Sequence, residues 1–411
     1  MTAGIFGDKS MYSGEIRDWP KRVRFGIDST DALGGLMDSM AAHRAVVVCG
    51  STVAGGPMLA RVKDALGSRF AGVFSEIHSH TPFEDVLAAS KFAQNIGADT
   101  IVSVGGGSAI DAGKGVVLLS SAGAPLDGDH SSLAAIMQPY AIEWGKKGSM
   151  DRQALGESRI RHISVPTTAG SASDVMPTAG IRDPKLPKKM LFWDDRLVPD
   201  ATILDPKMAV HANPELTAAT GMTAVARAIE SLYSLHRHPI SIGLALHAAR
   251  LLRTALPRSV EDGSDLAARA DCQMACIMSG TASINAMVSV VHAIGHVVGG
   301  RYGLQHGISH AILLGPAIRR LLPAIGADYG YVLEALGCPP ASTAEAAADA
   351  AASALSRLLG QLPLPQRLRE VGVTDKDLAP IAAATMSDYM MANLPAPMSS
   401  GDVESLLREA W

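Results

Sequence analysis

The stretch DTIVSVGGGSAIDAGKGV, residues 99 to 116, limits what this chain can fold into more than any other. An apolar, β-branched run ends in three consecutive glycines and passes at once into a helical pattern. That junction lets backbone approach an anion closely. Gly105, Gly106 and Gly107 give the close approach, and Ser108 opens a helix whose unpaired amides and positive dipole end face the same point. Asp111 and Lys114 fall on the first turns of that helix, where one can hydrogen-bond a ligand and the other can neutralise phosphate. Glycines can also simply end a strand tightly, but the strand before and helix after make a dinucleotide cradle the better reading.

Two further runs, RAVVVCG (44 to 50) and AGVFSEI (71 to 77), read as buried strands separated by segments of helical period. This alternation predicts an α/β fold with a parallel sheet. A later run, IRHISVP, closes at Pro166 and leads into a hydroxyl-rich turn. There Thr167, Thr168, Ser171 and Ser173 can line a second wall of a cofactor cleft or satisfy only their own backbone. The last strand pattern is ATILD, 201 to 205, and from Pro206 onward Ala, Leu and Met-rich helical segments continue to the C-terminus. We therefore expect two domains: 1–205, an α/β dinucleotide-binding domain, and 206–411, an all-α domain. Residues 1–20 are expected to form an edge strand or arm, and 121–158 a surface excursion with a solvated His130.

A length of 411 residues suits two domains, and 47% hydrophobic against 18% charged residues can bury a large core. The net charge of −4 and the absence of a basic stripe exclude a nucleic-acid footprint and favour a small-molecule substrate. No apolar run reaches the roughly 18 residues of a membrane span. The start MTAGIFGDKSMYSG is unlike a secretory signal, so a cytoplasmic location is expected. Cys49, Cys272, Cys276 and Cys338 form no CxxC pair, which fits a reducing compartment, and Cys272 and Cys276 read as packed helix residues.

The second chemistry-bearing stretch is VSVVHAIGHVVGGRYGLQHGISHA, residues 288 to 311. His292 and His296 share a helix face, and His306 and His310 repeat the spacing after a Gly-Gly-Arg-Tyr-Gly break. One such histidine is usually a core residue. Four together point to function, either as metal ligands or in proton chemistry. Upstream, Asn213-Pro214-Glu215 starts a helix that carries Thr223, Arg227 and Glu230 on one face. By itself that face reads as a surface ion pair. Residues 342 to 361 and the tail MSSGDVESLLREAW read as further capped helices.

GGGSAIDAGK, SVPTTAGSASDV, NPELTAATGMTAVARAIE and VHAIGHVVGGRYGLQHG, in this order, resemble the iron-containing alcohol dehydrogenase family of the dehydroquinate-synthase-like fold. The resemblance implies an N-terminal dinucleotide domain, a helical C-terminal domain and hydride transfer in the cleft between them. It implies pyrophosphate binding by Gly105 to Lys114, and cofactor contacts from Thr167, Thr168, Thr178 and Lys189. Many NAD-preferring members carry an acid after the first strand. Here that place reads Cys49-Gly50-Ser51-Thr52, so Ser51 stands where NADPH is admitted and favoured over NADH. Metal-dependent members use an Asp and a His at the places of Thr223 and Arg227, with two histidines matching His292 and His306. Two of the four ligands are thus replaced, one by a cation, and no tightly bound metal is expected.

The His-x3-His pattern and His80-Thr81-Pro82 also resemble maleylacetate reductases, a branch of that family. The expected activity is metal-independent, NAD(P)H-dependent reduction of a carbonyl, or of a C=C conjugated with one, in a small substrate that can bear a carboxylate. Arg227 is expected to stabilise the oxyanion or clamp a carboxylate. His296 and His306, then His292, are expected to supply the proton, with His310 packed. A metal-dependent dehydrogenase with substitute ligands and a non-redox lyase or cofactor-binding protein are the alternatives. A homodimer is expected from the resemblance alone.

Overall fold

Successive residues of a strand face opposite sides of a sheet, so a run of five buried apolar residues needs cover on both faces. Ala45–Cys49 meets that need: Val46 and Val48 enter one hydrophobic cluster, while Ala45, Val47 and Cys49 enter another. The computed structural model describes residues 21–128, 130–142, 153–158, 160–183, 185 and 189–411. The expected N-terminal arm, residues 143–152 of the surface excursion and the His130 side chain lie outside what is described.

The strands are β1 (Val23–Phe25), β2 (Ala45–Cys49), β3 (Phe70–Phe74), β4 (Thr100–Gly105), β5 (Arg161–Pro166), β6 (Thr178–Ile181), β7 (Met190–Trp193) and β8 (Ala201–Leu204). Six of them form one sheet in the order β1-β8-β5-β4-β2-β3, with every pairing parallel. The helices Phe83–Ile96 and Gly107–Ser121 cover one face, and Leu33–Ser39 and Pro57–Leu66 cover the other. This is the expected parallel α/β sheet, with strands where the sequence placed them. Two elements had no clear signal: the three-residue edge strand β1, and the antiparallel hairpin of β6 and β7.

The chain changes over from this α/β unit to a second compact unit between His211 and Ala212. The second unit is helical. Asn213 Oδ1 caps its first long helix, Pro214–Tyr233, by accepting from Leu216 N at 2.8 Å. Pro239–Glu261, Leu266–Ala286, Val290–Tyr302 and His306–Leu321 follow. Ala344–Leu359, capped by Thr343, and Ser400–Ala410, with a capping box between Ser399 and Asp402, are the helices anticipated near the C-terminus. Among the described residues one helical stretch, His306–Leu336, contains an 18-residue window with mean hydropathy 1.2, interrupted by charged side chains. Within the molecule 67% of that window is buried.

The helix that opens with the glycine loop lies very close to the sheet. A Cβ on Gly113 would stand 2.1 Å from Ser103 Oγ and 2.6 Å from His162 Nε2, side chains that themselves pair at 2.9 Å beneath it. Gly113→Ala should therefore cost about 1–3 kcal/mol through overpacking, read as a lower urea midpoint for the loss of helical circular dichroism. A midpoint equal to that of the wild type would contradict this close apposition.

Candidate active site

Parallel register brings three loops of the α/β unit to one edge of its sheet. Cys49 pairs with Val104 and Gly105 with Pro166, so residues 50–52, 105–108 and 167–173 all follow the carboxyl ends of neighbouring strands. The chain leaves β2 toward β3 on one side and returns to β4 on the other. Ligands of open α/β sheets bind at such a reversal of strand order.

Gly105 has φ +150°, and a Cβ on it would stand 2.9 Å from Ala109 Cβ, so a side chain is excluded both by conformation and by contact. Gly106 precedes the Gly107–Ser121 helix without a side-chain cap, which leaves first-turn amides for an anion. Beside Gly106 lies Thr168. Its Oγ1 is buried without a hydrogen-bond partner and would be 3.7 Å from a Cβ at Gly106. A polar atom orphaned next to a glycine cradle fits a dinucleotide phosphate, as does the backbone bond from Thr167 N to Gly105 O at 3.0 Å that holds the two loops together. Ser51 is exposed at the start of the short Ser51–Ala54 helix.

The remaining cofactor candidates have other work. Ser108 Oγ accepts from His80 N at 3.1 Å, and Thr81 Oγ1 donates to Ser108 O at 3.3 Å, which fixes a segment where His80 and Thr81 both have positive φ. Asp111 was expected to meet the ligand. Its Oδ1 instead accepts from Ser173 Oγ, and its Oδ2 from Gly180 N at 3.1 Å. Lys114, expected to neutralise phosphate, donates from Nζ to Met176 O and Thr178 O, each at 2.7 Å, with no exposure. Burial lowers this ammonium to about 8, against the pull of Asp111 and Asp174. Thr178 thus enters through its carbonyl. Half-buried Lys189 runs along the same hairpin, with Cδ 3.7 Å from where a Gly180 Cβ would lie, and burial lowers its ammonium too.

In the helical unit the four histidines of 288 to 311 do come together. The rings of His292 and His310 have centroids 4.1 Å apart, while His306 lies 5.8 Å from His310 and 5.8 Å from His296. The chain reverses at Gly303, whose φ of +67° ends the Val290–Tyr302 helix; the helix runs on through the Gly-Gly pair expected to break it. His306–Leu321 then starts against Pro214–Tyr233 so closely that a Cβ on Gly307 would stand 1.6 Å from Ala219 O.

Arg227 and Glu230 are not a surface pair: they are 4% and 0% exposed. Glu230 Oε1 accepts from Ser289 N (3.1 Å), Ser289 Oγ (2.9 Å), Val291 N (3.0 Å) and Tyr233 Oη (3.2 Å), and its Oε2 pairs with His292 Nδ1. Burial raises this carboxyl to about 7, despite those bonds. His292 is held neutral, first by burial and then by the Arg227 guanidinium. His310 is pushed down by burial, then by His292, His296 and Arg227, and both its ring nitrogens are buried without a partner. Arg227 Nη2 also lies 3.8 Å from Cys276 Sγ. His296 Nδ1 pairs with Asp388 Oδ2 at 2.8 Å. Neither carboxylate partner is legible in the sequence: the pattern around Glu230 fits an exposed face, and Asp388 lies 92 residues from its histidine.

Both halves have counterparts in known proteins. Residues 20–206 match the family described as iron-containing alcohol dehydrogenase, and residues 217–411 match the C-terminal part of the Fe-containing alcohol dehydrogenase family. The chain belongs to the iron-containing alcohol dehydrogenase family. The 1,3-propanediol dehydrogenase of Citrobacter freundii is 31% identical over 315 residues, 76% of each chain. Maleylacetate reductase 2 of Cupriavidus pinatubonensis is 29% identical over 332 residues, 81% of this chain and 80% of its own. A crystal structure of a 1,3-propanediol oxidoreductase superposes with TM-score 0.84 at 26% identity, covering 95% of this chain and 98% of that one. This iron-type family member is accordingly a dehydrogenase or reductase.

The metal in the family's description does not fit the donors of this dehydrogenase. Thr223 Oγ1 donates to Ala219 O at 3.3 Å, and Arg227 places a fixed cation beside the histidines. Among the described residues no three His, Cys, Asp or Glu side chains gather as a metal ion requires. For the glycine cradle, Gly105→Ala should weaken NADH binding about tenfold or more, since forcing a side chain into this backbone region costs about 1–3 kcal/mol. Fluorescence titration would measure it, and undiminished affinity would remove this loop from the cofactor site.

Proposed function

We propose that this chain is an NAD(P)H-dependent reductase of a small carbonyl compound, or of a C=C conjugated with a carbonyl, working without a tightly bound divalent metal. The observation that carries the reading is the buried Arg227 guanidinium beside the histidine cluster, at a position where the resemblance would put a metal ligand.

The dinucleotide, when bound, supplies or takes up hydride at the substrate carbon. The chain's own residues then have to manage charge and protons at the oxygen. A buried guanidinium is already desolvated and fixed, so it stabilises a developing oxyanion, or a substrate carboxylate, without reorganising. Burial and Arg227 keep His292 and His310 neutral, so neither is a ready store of protons. His296 and His306 are only partly buried and can exchange protons with water, which suits them to pass the proton. At the mouth of the cradle Ser51 offers a hydroxyl and no carboxylate, which admits the 2′-phosphate of NADPH as well as NADH.

The two relatives suggest the assays: maleylacetate in the reductive direction and 1,3-propanediol in the oxidative one, each with both dinucleotides. Arg227→Ala should lower kcat by about 10²–10³, as loss of an oxyanion donor does, with dinucleotide affinity unchanged. Turnover equal to that of the wild type would remove Arg227 from the reaction. Dialysis against a chelator should leave the rate unaltered; a rate lost on dialysis and restored by iron or zinc would refute the metal-free reading.

A further inference from the structure

Asp388, near the C-terminus, reaches back to the histidine cluster. Asp388 is 7% exposed, and its two carboxylate oxygens have separate tasks. Oδ1 accepts from Met390 N at 2.9 Å and caps the short helix Tyr389–Asn393. Oδ2 accepts from His296 Nδ1 at 2.8 Å. The segment is pinned independently of that carboxylate: Asn393 Nδ2 donates to Val288 O at 2.8 Å, and Asn393 O accepts from Leu235 N at 3.0 Å. Asp388 therefore stands against the imidazole on a support that does not depend on the contact.

A carboxylate can only accept, so the nitrogen facing it must carry the hydrogen. In its neutral form His296 then has its proton on Nδ1 and a lone pair on Nε2. The ring is half-buried, and it meets His306 edge-on at 5.8 Å between centroids. We propose that Asp388 is a positioning residue for the reaction, holding His296 in the one tautomer and orientation in which Nε2 can pass a proton to and from the substrate oxygen. This rests on the reading above that His296 moves that proton. In reduction, hydride adds to the carbonyl carbon, or to the far carbon of a C=C conjugated with it so that an enolate forms, and in both cases the C=O π pair moves to oxygen. That oxygen takes the proton from Nε2 of the imidazolium, and water recharges the ring. In oxidation Nε2 accepts the alcohol proton. Asp388 neither gains nor loses a proton in either direction, and it stabilises the imidazolium while that form lasts.

Asp388→Asn separates the two tasks. Asn is as good a helix cap as Asp, so its amide oxygen can keep the bond to Met390 N. The amide NH₂ is then left facing His296, and a donor there demands an acceptor at Nδ1. The neutral tautomer inverts, and Nε2 becomes an N–H that cannot accept a proton. The variant should fold like the wild type and bind dinucleotide with the same affinity. Oxidation of 1,3-propanediol and reduction of maleylacetate should both lose about 10²-fold or more in kcat, the usual worth of general acid–base catalysis, with KM moved less than about threefold.

A structural role alone would not alter the tautomer, so the second readout is the imidazole ¹⁵N spectrum of histidine-labelled protein, with the His296 signal assigned by its loss in His296→Gln. The wild type should show a protonated Nδ1 and a bare Nε2 in the neutral ring, and Asp388→Asn the reverse. The spectrum needs no substrate and decides the tautomer whichever compound is turned over. A neutral wild-type ring protonated on Nε2 would overturn the proposal. So would a kcat for Asp388→Asn within threefold of the wild type when His296→Gln has lost activity. If His296→Gln itself keeps full activity, the assignment of the proton to His296 fails, and the role of Asp388 falls with it.

Discussion

A carboxyl group with no exposure is tolerated only where every oxygen is bonded, because an unpaired buried charge costs several kcal/mol. Glu230 is such a group, and the polar interior of the helical unit depends on it. Its oxygens take the amides of Ser289 and Val291, the hydroxyls of Ser289 and Tyr233, and the His292 ring. These bonds tie the Pro214–Tyr233 helix to the first turn of Val290–Tyr302 and so set where the histidine-bearing helix begins. His292 is oriented by the same carboxyl, His310 packs on His292, and the cluster grows outward from there.

The α/β unit has a counterpart of opposite charge. Lys114 is fully buried on the helix behind the glycine loop and donates to the Met176 and Thr178 carbonyls, while Asp111, one turn earlier, holds Ser173 and Gly180. Both side chains look like ligand-binding groups in a one-dimensional motif. In three dimensions they brace the 173–180 segment against the helix.

Membership of the iron-containing alcohol dehydrogenase family accounts for the framework, but the polar interior of the helical unit departs from what the family's description implies. Thr223 and Arg227 stand there without a carboxylate or imidazole between them, and Arg227 adds a buried positive charge beside the histidines.

The parallel sheet, the glycine turn at Gly105 to Gly107 and the helical second half were legible in the sequence, because strand burial, glycine placement and helix capping are local and periodic. The short β1 and the β6–β7 hairpin were not: three or four residues carry too little period, and their pairing energy comes from strands distant in sequence. The histidine pairs were visible from spacing, but their partners were not. Nothing near His296 announces Asp388, 92 residues away, and the pattern around Glu230 fits an exposed face as well as a buried one. Residue types and their local order were thus determined by the sequence itself. Which carboxylate meets which imidazole, and which motif lysine is spent on carbonyls, was decided only by tertiary packing, because burial and long-range hydrogen bonds exist only once the chain has folded.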